Sequence, residues 1–349
     1  MGSFVGYTIY TVANFYPTYY TMLPAAAIQG TCGGCLWTAQ CAYFTTAGQK
    51  YAEIKRINVE TSVGYFFGIF FGMFQLTNVS GNIISSIVFH DMIHTGVPEW
   101  KPLHNESFIT DVCGRNDCQN VDFTADDPAK TDETLAYILL GIYTFCGFIT
   151  IAILWIFVDD MEMAESESNH SDKPSDMLKS SIRHFLSDTR QQLLVFLTMY
   201  SGFKQAFKQA DITKSFISCP LGIAWIGFIL CGCGLSDSGF SFLFGRMAGW
   251  IGDNNSRGML IGLALGLDIM NCTAMLLWDP QPTGPNGALP FFWIPLFWGV
   301  SDAVIQTQIN VIYGSFFGDR QDAAFGNYRF WESLGFIVVF GYQGYTCGE

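Results

Sequence analysis

The sequence predicts an all-α membrane protein with about nine transmembrane helices, and three observations predict it. Charged residues make up only 13% of the 349 positions, against roughly 25% in an ordinary globular domain. Those charges are segregated, because residues 91–133 and 159–190 are polar throughout while long stretches elsewhere hold almost none. The apolar stretches run to about 20 residues, the length that carries a helix across a roughly 30 Å hydrocarbon layer. A soluble protein interleaves the two kinds of residue; a polytopic membrane protein separates them.

Nine segments meet this expectation in chain order: 4–19, 22–45, 63–89, 135–158, 193–212, 221–244, 259–278, 289–316 and 323–345. The first is short, and breaks such as "FYPTYY" and "DPQPTGPNG" fall where turns are needed. The third carries Gly64, Gly68 and Gly72 at four-residue intervals, and the seventh repeats the pattern with Gly258, Gly262 and Gly266. Such ridges of small residues let two backbones approach closely in lipid, within one bundle or between copies. The fifth is interrupted by Lys204, Lys208 and Asp211.

The eighth segment, "FFWIPLFWGVSDAVIQTQINVIYGSFF", is apolar yet holds four strongly polar side chains. Asp302, Gln306 and Asn310 stand four residues apart and share one helix face, from which Gln308 points away. Polar side chains in a membrane segment turn toward other helices or a water-filled cavity. Two roles fit this stripe: lining a substrate or ion path, or hydrogen-bonding between helices. Candidate partners from other spans are Lys204, Lys208, Asp268 and Glu332, with Gln40, Gln75 and Asn78 besides. A buried pair of Asp302 with Lys204 is one expectation.

Orientation follows from the basic residues near the span ends. Lys50, Lys55, Arg56, Lys173, Lys179, Arg183, Arg190, Arg246, Arg257, Arg320 and Arg329 fall on one side, against Lys101, Arg115, Lys130 and Lys214 on the other. This asymmetry places the amino terminus in the cytoplasm. Residues 1–158 then form an N-terminal bundle of four spans, 159–190 a cytoplasmic connecting loop, and 191–349 a C-terminal bundle of five spans. The loop 91–133 is extracytoplasmic. It holds the glycosylation acceptor Asn105 in "NES". Cys113 and Cys118 in "CGRNDC" are either a short-loop disulfide of an oxidising compartment or two surface thiols. Four further acceptor sequences, at Asn78, Asn169, Asn254 and Asn271, lie within spans or in loops assigned to the cytoplasm.

Several functions are not expected. The net charge of −13 arises mainly in the two polar segments, and no Lys/Arg stripe marks a nucleic-acid surface. Most of the eleven cysteines lie in apolar runs and read as small hydrophobes. Cys32 and Cys35 have CxxC spacing, but no strand precedes them as a redox site would require. His90, His94, His104, His170 and His184 lie at span ends or in loops, with nothing around them to complete a metal or catalytic site. No enzyme activity, metal or cofactor is expected; the partner that composition names is the lipid bilayer.

Beyond composition, "NFYPTYYTMLPAAAIQG", "LWTAQCAYFTTAGQKYAE", "FFGIFFGMFQLTNVSGNIISSIVF", "LFWGVSDAVIQTQINVIYG" and "AAFGNYRFWESLGFIVVFGY" together resemble the uncoordinated-93 family, nearest its homologue A branch, within the major facilitator superfamily. The blocks run from one end of the chain to the other in the family's order. The resemblance implies a fold of two helical bundles in which these nine spans correspond to helices three to eleven, so the bundles are incomplete. "GRMAGWIGDNNSRG" is similar to the superfamily's loop after helix eight, with Gly249 where Asp is usual, and Lys204 stands where an acidic residue is common. "CGRNDC" is similar to the family's cysteine pair. The resemblance further implies a regulatory subunit of a potassium channel or a trafficking partner of Toll-like receptors. It supports regulation more strongly than solute or ion transport, which stays the alternative for the stripe around Asp302. It implies residence in the plasma membrane or an endosomal membrane, and no cofactor.

Overall fold

The structure, a computed structural model, describes residues 2–90, 113–116, 133–157, 174–247, 254–278, 289–318 and 320–343, with positions 280 and 287 besides. The described residues form helices α1 (Gly2–Ala13), α2 (Tyr19–Lys55), α3 (Val59–His90), α4 (Glu133–Phe157), α5 (Pro174–Ser187), α6 (Thr189–Phe207), α7 (Ile223–Met247), α8 (Asn254–Leu277), α9 (Trp293–Phe316) and α10 (Gln321–Gln343). A π-helix, Lys208–Ser218, and one α-helical turn, Cys219–Leu221, join α6 to α7. The all-α class expected from composition is the class observed.

Local chemistry sets the ends of these helices. Thr18 and Thr21 form a capping box at the start of α2, with the Thr18 N–H donating to Thr21 Oγ1 at 3.0 Å. Arg56 closes α2 in the left-handed conformation (φ 56°), its N–H turned back onto the Ala52 and Glu53 carbonyls. At the other junction, Gly222 has φ 90°, which admits a glycine with little strain, and it separates the Cys219–Leu221 turn from α7.

Among the described residues, Val59–Val88, Glu133–Ile156, Trp225–Met247, Arg257–Leu277 and Leu289–Phe316 are long and apolar enough to cross a membrane. Several apolar helices of this kind define an integral membrane protein. The remaining expected spans are helical but less suited to crossing alone. The first is a helix of only 12 residues, and the fifth passes into the π-helix at Lys208. The expected connecting loop 159–190 contains α5, which docks on α10 through Asn327 Nδ2 donating to the Ser181 carbonyl at 2.9 Å.

Close glycine contacts set the packing. A Cβ added at Gly68 on α3 would stand 2.4 Å from Gly245 Cα on α7. Ser238 Oγ on α7 donates to the Gly72 carbonyl at 2.7 Å. A second approach, at which a Cβ on Gly202 of α6 would stand 2.0 Å from the Glu332 carbonyl of α10, carried no signal in the spacing. The Gly258, Gly262 and Gly266 ridge is a correction: nothing lies within 4 Å of a Cβ at any of them, because α8 turns Leu260, Ala264 and Asp268 inward instead. Around the α3–α7–α9 contact a core of Val63, Phe67, Phe71, Ile305, Tyr313 and Phe325 excludes solvent.

The expected Cys113–Cys118 bridge is also corrected. Cys113 pairs with Cys219, their Cα atoms 5.7 Å apart across 106 positions of sequence. Folding brings the loop after α3 against the turn before α7, where a Cβ on Gly114 would touch the Pro280 ring. Asn105 and Cys118 lie outside the described residues.

Candidate functional site

The polar residues of α9 sit at the middle of the bundle, and every residue from Ser301 to Val311 is buried. Asp302 (3% exposed), Gln306 (5%) and Asn310 (0%) face polar groups from four other elements. Three ion pairs organise the region. Lys204 Nζ of α6 lies 3.1 Å from Asp268 Oδ1 of α8 and donates to Ser301 Oγ at 2.6 Å. Tyr200 donates to the other Asp268 oxygen. Lys208 Nζ, at the head of the π-helix, lies 3.6 Å from Asp302 Oδ2. Arg329 of α10 donates to Glu332 Oε2 at 2.6 Å.

The expected Asp302–Lys204 pair is therefore replaced by Asp302–Lys208 and Lys204–Asp268. Lys204 stands in the last turn of α6 and Lys208 at the head of the π-helix, and each takes a carboxylate from a different neighbouring helix. Burying each of these charges alone would be costly, and pairing with hydrogen bonds to the remaining sites offsets that cost.

The lower part of the stripe is bound into one network. Gln306 Nε2 donates to Ser201 Oγ at 3.1 Å, Ser201 Oγ donates to Glu332 Oε1 at 3.0 Å, and Tyr328 donates to Gln306 Oε1 at 3.1 Å. Cys41 Sγ of α2 donates to Asn310 Oδ1 at 3.2 Å and accepts from an Arg329 amine at 3.2 Å. The Arg329 guanidinium also covers the Trp37 and Tyr328 rings, 5.0 and 4.4 Å from their centroids. These contacts join α2, α6, α9 and α10.

Beside the network is a cavity of about 540 Å³. Gln75, Asn78, Lys208, Asp302, Arg329 and Glu332 give it polar walls, while Tyr7, Trp37, Phe71 and Phe336 give it aromatic ones. A volume of this order suits a small-molecule site. Arg329 was missed as a site residue because it reads as a flanking basic charge. Asp237, 1% exposed on α7, was missed although a lone carboxylate in an apolar run is itself a signal. Ser201, Trp37 and Cys41 gave no signal that spacing could detect.

Outside the spans, His184 of α5 is buried against Phe317, ring centroids 5.1 Å apart, and its Nδ1 has no partner. Burial pushes its pKa below the usual histidine value, opposed by the Asp188 charge. Asp188 caps α6, and the Arg190 hydrogen bond and charge hold its carboxyl below the usual range. Among the described residues, no group of three or more His, Cys, Asp or Glu is placed to hold a metal ion.

An apolar helical bundle with paired charges at its centre and a polar cavity beside them defines a polytopic membrane protein. The chain belongs to the family described as ion channel regulatory protein UNC-93, whose model matches residues 1–346. It is 38% identical over 347 residues to protein unc-93 homolog A of Xenopus laevis, covering 98% of this chain and 72% of the relative. It is 34% identical to the homolog A of Homo sapiens, covering 99% of this chain and 73% of that protein. The putative potassium channel regulatory protein unc-93 of Caenorhabditis elegans is 29% identical over 340 residues, covering 96% of this chain and 46% of the relative.

Proposed function

We propose that this chain is an auxiliary membrane subunit that modulates a potassium channel. The observation that carries this reading is the family match over residues 1–346, together with the name of the Caenorhabditis elegans relative. The geometry supports it in two ways. Six of the buried charges form pairs with one another, which suits a stable scaffold. The outer faces of α4 and α8 are apolar and exposed, with Phe145, Trp155, Met259 and Ile269 each more than half exposed, as surfaces that meet lipid or a partner's helices are. Coexpression with a two-pore potassium channel tests this reading: current amplitude or gating should change when the chain is present, and unaltered current across such channels would refute it.

The cavity favours a second reading, a major-facilitator-type carrier of a solute or ion that uses the stripe around Asp302. Substrate-dependent flux in proteoliposomes, lost in Asp302→Asn, would support that reading against the first.

The amino terminus is cytoplasmic in this proposal, and the host membrane is the plasma membrane. The Cys113–Cys219 disulfide supports the orientation, since the loops after the third and fifth spans both fall on the oxidising side. Asn105 is the glycosylated residue. Glycosidase treatment should give a single mobility shift that Asn105→Gln abolishes, and a glycan at Asn169 or Asn254 would reverse the orientation.

A further inference from the structure

Among the described residues, the charges in the bundle interior do not balance. Lys204, Lys208 and Arg329 face Asp268, Asp302 and Glu332 in three pairs, which leaves Asp237 as a fourth carboxylate. Ser241 Oγ donates to Asp237 Oδ1 at 3.2 Å, while Oδ2 is buried without a partner. On α9, Asp302 presents Oδ2 to Lys208, while its Oδ1 is likewise buried without a partner.

Both carboxylates stand where α7 and α9 cross. A Cβ on Gly299 of α9 would stand 3.1 Å from the Asp237 backbone nitrogen and 2.4 Å from the Cys233 carbonyl. Asp302 follows Gly299 by three residues, so it lies nearly one turn further along the same face. The cation at this crossing is Lys208, whose Nζ lies 3.6 Å from Asp302 Oδ2. Two carboxylates sharing this crossing with one ammonium leave one negative charge and two acceptors unsatisfied.

We propose that Asp237 and Asp302 hold one proton between them, forming a buried proton-binding site where α7 meets α9. A single O–H···O hydrogen bond satisfies both orphan oxygens and leaves three cations facing three anions. The proton comes from water in the cavity and returns there by way of Asp302, which lines the cavity beside Lys208. Nothing else is bonded or broken. The other groups around the pair are Lys204 of α6, held by Asp268 of α8, and Cys233 of α7 itself. From α3, the contact at this level is the Gly72 carbonyl, taken by Ser238. A bare alkali cation would meet two unused side-chain oxygens here with the Lys208 ammonium beside them. A proton needs one donor and one acceptor.

The site is independent of channel regulation, and the test reads the pair itself. The full chain, purified in detergent, is compared with Asp237→Asn by infrared difference spectroscopy across a pH series and by thermal unfolding. The wild type should show a carboxylic-acid carbonyl band that shifts in D₂O and that Asp237→Asn abolishes. The folded pair keeps a proton that the unfolded chain releases, so the wild-type midpoint should fall as pH rises. Asp237→Asn, whose amide donates permanently to Asp302 Oδ1, should lose that fall. If this variant does not accumulate, Asp302→Asn carries the same comparison, with its amide directed at Asp237 Oδ2. Persistence of the band in the variant that folds would overturn the proposal. So would a wild-type midpoint that follows sodium or potassium concentration and not pH.

Discussion

Gly68→Ala adds one methyl group at the closest approach of two helices. At Gly68 the new Cβ would stand 2.4 Å from Gly245 Cα and 2.8 Å from the Ser241 carbonyl, where ordinary contact begins at 3.4 Å. Both neighbours are backbone, so no rotamer change relieves the clash, and α3 and α7 must part by about 1 Å. Overpacking of this kind costs roughly 1–3 kcal/mol. Parting the helices also strains the Ser238–Gly72 hydrogen bond, 2.7 Å long in the native packing. Gly262→Ala is the control. It stands in a ridge of the same spacing, but a Cβ there meets nothing within 4 Å. With no clash, the better helix propensity of alanine, up to about 1 kcal/mol, makes that change neutral or stabilising. Thermal unfolding in detergent, followed by size-exclusion chromatography of a fluorescent fusion, measures both variants. Gly68→Ala should lower the midpoint and Gly262→Ala should not. Equal losses would refute the assignment of close packing to one ridge and not the other, and an unchanged Gly68→Ala would refute the α3–α7 contact itself.

Three further outcomes are expected. Asp268→Leu leaves Lys204, 3% exposed, as an uncompensated charge beside Trp298; it should cost about 3–5 kcal/mol, and Lys204→Met introduced with it should recover much of the lost expression. Cys219→Ser should destabilise the chain by roughly 2–5 kcal/mol, and Cys113 should then become reactive to maleimide, whereas Cys118→Ser should leave the Cys113–Cys219 bridge intact on non-reducing peptide mapping. His184 stays neutral in its buried site, so the unfolded chain binds the extra proton, and docking of α5 should weaken as pH falls through about 6.5; His184→Phe should remove that acid-side loss in hydrogen exchange of α5, and an unchanged profile would show that another group is responsible.

The sequence by itself determined the class of protein, because segregation of charge over about 20-residue runs is a one-dimensional property that only a membrane explains. It also determined which face of α9 is polar, since helical periodicity places Asp302, Gln306 and Asn310 together wherever the helix packs. Lys204, Lys208, Asp268 and Glu332 were legible as candidates for the same reason: charges in apolar spans must turn inward. Pairing was not legible. Asp302 meets Lys208 and not Lys204 because Asp268 of α8 already holds Lys204, a neighbour that periodicity does not name. Cys113 finds Cys219 because two loops share one end of the bundle, a matter of which helices are neighbours and not of spacing along the chain. Two identical glycine series ended differently, one against Gly245 and one against open space, because a ridge of small residues permits close packing without supplying the partner. Periodicity tells which way a side chain points. Only the arrangement of helices, set by how their surfaces fit and how far each is shifted along its neighbour, decides what it meets.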